Sequence, residues 1–437
     1  MLKAGFNRLG SILLGPLVLI TLLNGCSSNT QDSTASAVGK SADHQPVTIS
    51  VGIKTQGYLT DEEFNRYIVE PVKKQYPWIT VEKVIYNAKG TKLSELVAAG
   101  NVPDIVITNN VNGMPEFLEL DLAAPLTELI QNHKFDVTKI EPQAIEAVKA
   151  ATLMKDLAAL PYSRNFQTLY FNKDIFDKFA VPYPKDGMTW EQVTDLAKLL
   201  TRHDNGTQFR GLEPNVPERL ASQLSLPFVD PKTKKSTLNS TEWKQVMDRM
   251  ITIHSISGNE QILYNKEAAD LFYNKRTLAM LPDINLFGDL SQFKDLNWDM
   301  ASFPTWNHLP GVSPGIDAHL MVLTKTSTKK DDAFRVMSAV LSDEVQLDMS
   351  KQGRYSVLKD AKIKEAFGKD LTWMAGKNIR AVNMTPANPY PQTEYDKEGI
   401  NALRSALTSA IKNGKDSNTV LREASEAFDK KIEELKK

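Results

Sequence analysis

Strand-like and helix-like segments alternate along a 437-residue chain, which predicts an α/β protein of two or more folding units. Three observations carry the prediction. Short β-branched runs, Val47–Ile53, Ile79–Ile85 and Pro103–Thr108, are separated by stretches with apolar residues every three or four positions. Thr60 with Glu63, and Thr189 with Gln192, have the spacing of a capping box at a helix start. The composition, 41% apolar and 24% charged with 22 Gly and 22 Pro, is that of a globular chain and excludes a disordered or fibrous one. A net charge of −1 gives no basic field for nucleic acid, and a single cysteine leaves no internal disulfide.

Met1–Gly25 reads as a secretory signal peptide: Lys3 and Arg8 precede an apolar run, Leu9–Leu23, that is short for a membrane span. Leu23-Asn24-Gly25-Cys26 resembles a bacterial lipobox. That implies cleavage before Cys26 and a diacylglyceryl group on its sulfur, enough to anchor the chain at the cell membrane on its extracytoplasmic face. From Cys26 to Pro46 the chain, rich in Ser, Thr, Asp and Ala, reads as a flexible tether.

The strand Val47–Ile53 follows. Phe64, Ile68, Val72 and Tyr76 then line one face of a helix that Pro71 is expected to kink. After Ile79–Ile85, a short helix over Thr91–Ala99 ends at Gly100, and the Pro103–Thr108 strand completes what reads as a parallel sheet. Ligands of open α/β sheets sit beyond the carboxyl ends of strands. Two loops there are rich in amides and hydroxyls: Lys54–Tyr58 and Thr108–Gly113. They make Tyr58, Asn109 and Asn110 candidate contacts; simple turn chemistry is the other reading of the asparagines.

Leu160–Thr201 holds an apolar strand around Leu169–Phe171, a short helix to Phe179, a loop with Pro182, Pro184 and Gly187, and the helix capped by Thr189. Its order of parts, a strand running into Tyr-Phe-Asn-Lys-Asp-Ile-Phe, then Ala-Val-Pro, then Thr-Trp opening a helix, resembles family 1 extracellular solute-binding proteins, the sugar-capturing components of bacterial ABC importers. Gly100–Ile105, Asp121–Leu126 and Leu271–Met280 are similar to further passages of that family, with Asn274 where relatives carry Gly.

The resemblance covers nearly the whole mature chain. It implies a two-lobe, periplasmic-binding-protein-like α/β fold with three interlobe crossings. Lobe one would hold residues 47–161 and 316–352, and lobe two residues 162–315 and 353–437. The first crossing would bring Arg164 and Asn165 to the cleft, the second Asp317, and the third Arg354 and Tyr355. Asp283 and Asn285 stand where relatives often have Gly-x-Trp, and Tyr390 lies where relatives place cleft aromatics. Trp306 sits among Pro, Asn and His, so it reads equally as a stacking platform for a sugar face or as a packed hinge residue. Structural readings also stand beside Arg164, Arg354 and Tyr355: a salt-bridged arginine and a packed crossing.

No His-Glu-x-x-His, Walker loop, Gly-x-Ser-x-Gly or Cys-x-x-Cys is present, and the six histidines lack ligand spacing, so no catalytic residue, cofactor or metal is assigned. The expectation is a monomeric binding lipoprotein that closes on a sugar, with an oligosaccharide the expected kind, and delivers it to ABC permease subunits. A polyamine or peptide ligand on the same fold, or a surface glycoside hydrolase, are the alternatives.

Overall fold

The computed structural model describes residues 44–54, 58–111 and 113–436. The expected signal peptide, Cys26 and most of the tether lie outside the described residues, as do Thr55, Gln56, Gly57 and Asn112 of the two candidate loops. Twelve strands occur among the described residues. In chain order they are β1 (Val47–Ile53), β2 (Ile79–Ile85), β3 (Ile105–Asn109), β4 (Leu160–Arg164), β5 (Gln167–Asn172), β6 (Arg202–Asp204), β7 (Thr207–Leu212), β8 (Leu278–Ile284), β9 (Trp298–Ser302), β10 (Val312–Ser313), β11 (Ala318–Leu323) and β12 (Thr385–Pro386).

The first sheet has the order β2-β1-β3-β11-β4 and the second β6-β7-β8-β5-β9. In the first, β1 pairs in parallel with β2 and β3, as the sequence predicts. It is not wholly parallel, however. β11 inserts antiparallel between β3 and β4, because the chain reaches it from the other sheet rather than by a helical crossover. The second sheet is mixed: β7 and β8 are parallel, and β5 runs antiparallel to β8 and β9.

Each sheet carries its own core. Ile49, Val51, Ile53, Ile105, Ile107, Leu320 and Val322 belong to the first. The second sheet is covered on both faces. Leu169 and Phe171 of β5 join one core with Trp190, Val193 and Trp243, while Tyr170 points the other way into a core with Phe272, Leu281 and Trp298. Both capping boxes form, at Thr60 with Glu63 and at Thr189 with Gln192. The helix after Thr60 does not simply kink at Pro71. Its middle, Asn65–Val69, widens to π-helical pitch just before the proline, which has no N–H for the regular ladder. Gly211 lets β7 press on the helix Trp190–Leu200, since a Cβ there would lie 2.2 Å from the Ala197 carbonyl oxygen.

The chain passes between the sheets at 164–167, at 302–318 and in the region 353–367. The last passage weaves rather than crossing once. Tyr355 packs in a second-lobe core, Val357, Leu358 and Ile363 return to the first-lobe core, and Phe367 joins the second lobe again. Tyr162 to Arg164 likewise stay in the first sheet, although the sequence boundary places them in lobe two. Gln45–Lys437 form one compact unit. Among the described residues no helix is long and apolar enough to cross a membrane.

Candidate ligand cleft

Register fixes where the cleft lies. In the first sheet Ile85 pairs with Ile53, Ile53 with Ile107, His319 with Asn109 and Ala318 with Arg164, so these residues share one edge. In the second sheet Gln167 pairs with Ile284 and Thr168 with Ser302, which gathers the ends of β8 and β9 at the start of β5. Only Asn165 and Phe166 separate β4 from β5. The two edges therefore face the same crossing, and the carboxyl ends of β1, β3, β7 and β8 look onto the space between them.

On the first-lobe edge, Tyr58 sits edge-on to His319 with ring centroids 5.3 Å apart, and Tyr162 lies 6.0 Å from the same imidazole. Ser163 Oγ is 3.1 Å from His319 Nδ1. Burial pushes the His319 imidazole down to about 4, against the opposing pull of Asp317, so the ring is neutral at pH 7. The buried Tyr162 hydroxyl and Asp317 Oδ1 have no hydrogen-bond partner. The other Asp317 oxygen accepts a bond of 2.8 Å from Asn165 Nδ2. Beside them Arg354 donates twice to Glu63, at 2.5 and 2.8 Å. Burial works against both charges, but the pairing wins: the carboxylate is held below its usual range and the guanidinium above.

On the second-lobe edge the Asp283 carboxylate is satisfied within the protein, although the buried Thr168 hydroxyl has no hydrogen-bond partner. Arg219 donates to Asp283 Oδ1 at 2.5 Å, and Asn215 Nδ2 donates to Asp283 Oδ2 at 2.9 Å. Asn215 Oδ1 in turn accepts from the Asn265 backbone N–H at 3.0 Å. Asn285 Oδ1 accepts from the Phe287 N–H at 3.0 Å, just ahead of the short helix Phe287–Leu290.

The candidates from sequence thus fall into three groups. Tyr58, Asn165 and Asp317 stand at the crossing with the half-exposed character a contact needs. Asn109 stands at the cleft end of β3, its side-chain oxygen accepting from the Gly113 N–H at 3.1 Å. A Cβ at Gly113 would meet Thr108 Oγ1 at 1.8 Å, so this loop is as tight as only glycine allows.

Asn110, Asp283, Arg164, Tyr355 and Asn285 are occupied by structural work, and so is Arg354. Asn110 accepts from the Ala318 N–H at 2.6 Å and donates to the Ile316 carbonyl at 3.0 Å, clamping the second crossing. Arg164 donates to Glu141 at 3.0 Å, and its guanidinium lies 3.9 Å over the Tyr355 ring. Trp306 is a correction: it is 1% exposed in the second-lobe core and tilted against Trp190 at 6.5 Å, so its ring faces are packed and not presented as a platform, although its buried Nε1 has no hydrogen-bond partner. Tyr390 also packs on that core, edge-on to Phe228 at 6.2 Å, and burial beside the Asp396 carboxylate pushes its hydroxyl up.

His319 and Glu63 are absent from the sequence candidates. His319 is two residues past Asp317, at the amino end of β11; β11 runs antiparallel to β3, so a rule about the carboxyl ends of strands passes it over. Glu63 carries a capping signal only, and nothing local ties it to Arg354, 291 residues away. Among the described residues no group of three or more His, Cys, Asp or Glu side chains gathers as a metal would require.

Two α/β lobes joined by three crossings, with polar strand ends facing the junction, define a two-lobe ligand-binding protein of the periplasmic type. The model of the bacterial extracellular solute-binding protein family matches residues 68–374, and the chain belongs to that family. No curated protein sequence matches it. Among solved structures it is similar to a sugar transporter protein of Rhizobium etli in an open conformation, with 20% identity, a TM-score of 0.67, and coverage of 87% of this chain and 99% of that one. It is also similar to the sugar-binding protein MalE of Xanthomonas citri, with 17% identity, a TM-score of 0.68, and coverage of 89% and 98%. A third is an ABC substrate-binding protein of Listeria monocytogenes in complex with cycloalternan, with 20% identity, a TM-score of 0.63, and coverage of 89% and 99%. At these identities the likeness is one of fold.

Proposed function

We propose that this protein is the substrate-binding component of a bacterial ABC importer and that it captures a carbohydrate between its lobes. The observation that carries the reading is the unspent hydrogen-bonding capacity of the first-lobe edge. The Tyr162 hydroxyl and Asp317 Oδ1 lie buried without partners beside Tyr58 and a neutral His319. A neutral ligand rich in hydroxyls answers a carboxylate acceptor and a phenol together, because each hydroxyl both donates and accepts. A sugar that fails to do so leaves those groups unpaired, which is how such a site discriminates. The similar proteins of Rhizobium etli, Xanthomonas citri and Listeria monocytogenes are named for sugars or solved with one.

A polyamine needs several free carboxylates. Of the acids at these edges, Glu63 is held by Arg354, Asp283 by Arg219, and Glu116 lies 4.0 Å from Lys54. Asp317 is left for a ligand. The same count disfavours a glycoside hydrolase, which uses a carboxyl pair. The protein is taken to work as a monomer, anchored through Cys26 on the extracytoplasmic face of the cell membrane, and to hand its sugar to permease subunits. The test is the melting temperature of the chain from Gln45 onward against mono- and oligosaccharides, polyamines and short peptides, with the ligand analysed afterwards. A ligand at a hundred times its dissociation constant adds about 2.7 kcal/mol to the native state. A shift with sugars, recovered intact, supports the proposal. Shifts with polyamines or peptides alone, or cleaved sugar, reject it.

A further inference from the structure

Arg164 and Tyr355 were both candidates for touching the ligand, yet they are engaged with each other and with opposite lobes. The Arg164 guanidinium lies 3.9 Å over the Tyr355 ring, and the Arg164 backbone N–H donates to the Tyr355 carbonyl at 2.9 Å. The arginine end of this stack is fixed to lobe one. Its Nε donates to Glu141 at 3.0 Å, and the same carboxylate takes a bond from Lys364. Glu141 begins the helix Pro142–Thr152, whose Ala144, Ala147 and Val148 are part of the first core, and its N–H donates to Val357 at 2.8 Å. The tyrosine end is fixed to lobe two. Its hydroxyl donates to Asn383 Oδ1 at 3.0 Å, just past a short helix whose Ala381 and Val382 pack in a second-lobe core.

The neighbouring residue closes the third side. Asn165 N–H donates to the Asp317 carbonyl at 2.8 Å, and its side chain to the Asp317 carboxylate. All three crossings are therefore tied at one point. We infer that the Arg164–Tyr355 stack is the pin of the interlobe hinge: it positions the lobes and sets how widely they sample open and closed arrangements, without contacting the ligand. Rotating one lobe against the other shears a planar contact held at its two ends by different lobes. Its geometry therefore bears on the closure equilibrium, and through it on apparent affinity. The inference deepens the capture reading, since closure is the step it governs, but its test needs no ligand.

The test is the interlobe distance distribution of the ligand-free chain from Gln45 onward, with spin labels on cysteines placed at the exposed positions Lys330 in lobe one and Lys232 in lobe two. Cys26 is the chain's only cysteine and is excluded, so both labels are unique. Arg164→Lys keeps the charge but loses the planar fork that stacks and bonds at once. Tyr355→Phe keeps the ring and cuts the bond to Asn383. Both variants are expected to broaden the distribution, Arg164→Lys more. For any sugar that binds, Arg164→Lys is expected to change apparent affinity by at least about fivefold, in step with the closed population. Wild-type width in both variants overturns the pin. If affinity is lost at unchanged width, Arg164 is a ligand contact after all. Tyr355→Phe preserves the core volume, so it reads out the hinge even where Arg164→Lys fails to fold. A wild-type protein that no sugar stabilises rejects the carbohydrate reading and leaves the distance measurement standing.

Discussion

The two edges of the cleft are built from the same materials and use them differently. Asp283 on the second-lobe edge has both carboxylate oxygens bonded, one to Arg219 and one to Asn215. Asp317, at the first-lobe edge, keeps one oxygen free. A polar residue at a strand end is therefore not a contact by position alone. What separates scaffold from site is whether its bonds close within the protein, because a buried polar group left open costs stability that a ligand can return.

That contrast can be broken by substitution. The largest effect belongs to a residue that sequence alone left between the two roles. Trp306→Ala should destabilise by about 3–5 kcal/mol, the cost of emptying a packed aromatic site, read as a lowered denaturation midpoint. A stable variant that has lost sugar binding would instead restore Trp306 as a platform. Asp283→Asn removes one partner of a pair whose side chains are 11% and 5% exposed. It should lower stability by roughly 3 kcal/mol, since Arg219 is left without its counter-charge. Asp317→Asn should leave the melting temperature within a few degrees of wild type and weaken ligand binding by roughly tenfold or more, the cost of a mismatched hydrogen bond in a closed site. Similar stability losses from the two aspartate variants would erase the difference between the edges.

Acid sensitivity sharpens the comparison from within lobe two. His254 is fully buried, and burial pushes its imidazole down to about 4 from the usual 6.5. The unfolded chain thus takes up its proton first. The stabilising contribution is complete above pH 6.5 and lost as pH falls toward 4, on the order of 3 kcal/mol at full extent. Glu213, pushed up by burial against the pull of Arg210, opposes this trend. The check is therefore a difference: His254→Gln should show a flatter fall in melting temperature between pH 6.5 and 4 than wild type. Parallel profiles would contradict it.

The fold was legible where its signals are local. Strand periodicity located β1, β2 and β3 to within two residues or so, and two capping boxes marked helix starts, because both depend on residues within one turn or one pleat. Of the candidate site, the sequence reached Tyr58, Asn109, Asn165 and Asp317, which the fold brings to one edge with His319. What local sequence could not supply was the long-range pairing. Polar neighbours left Trp306 undecided between a stacking platform and a packed hinge residue, while the helix Trp190–Leu200 buries it from far along the chain. Arg164 and Asn110 looked like ligand contacts because their true partners, Glu141 and the backbone at Ile316 and Ala318, are distant in sequence. The antiparallel insertion of β11 was hidden for the same reason.

The measurement that bears most directly on the central claim is a crystal structure of the chain with a sugar that raises its melting temperature. The account predicts the sugar between the two strand-end edges, with one hydroxyl donating to Asp317 Oδ1, the Tyr162 hydroxyl satisfied, and Arg164 still stacked on Tyr355. A sugar bound elsewhere would contradict it, as in the surface groove of about 370 Å³ that Asn401, Ser405 and Glu423 line between the last two helices. So would a sugar in the cleft that leaves Asp317 untouched.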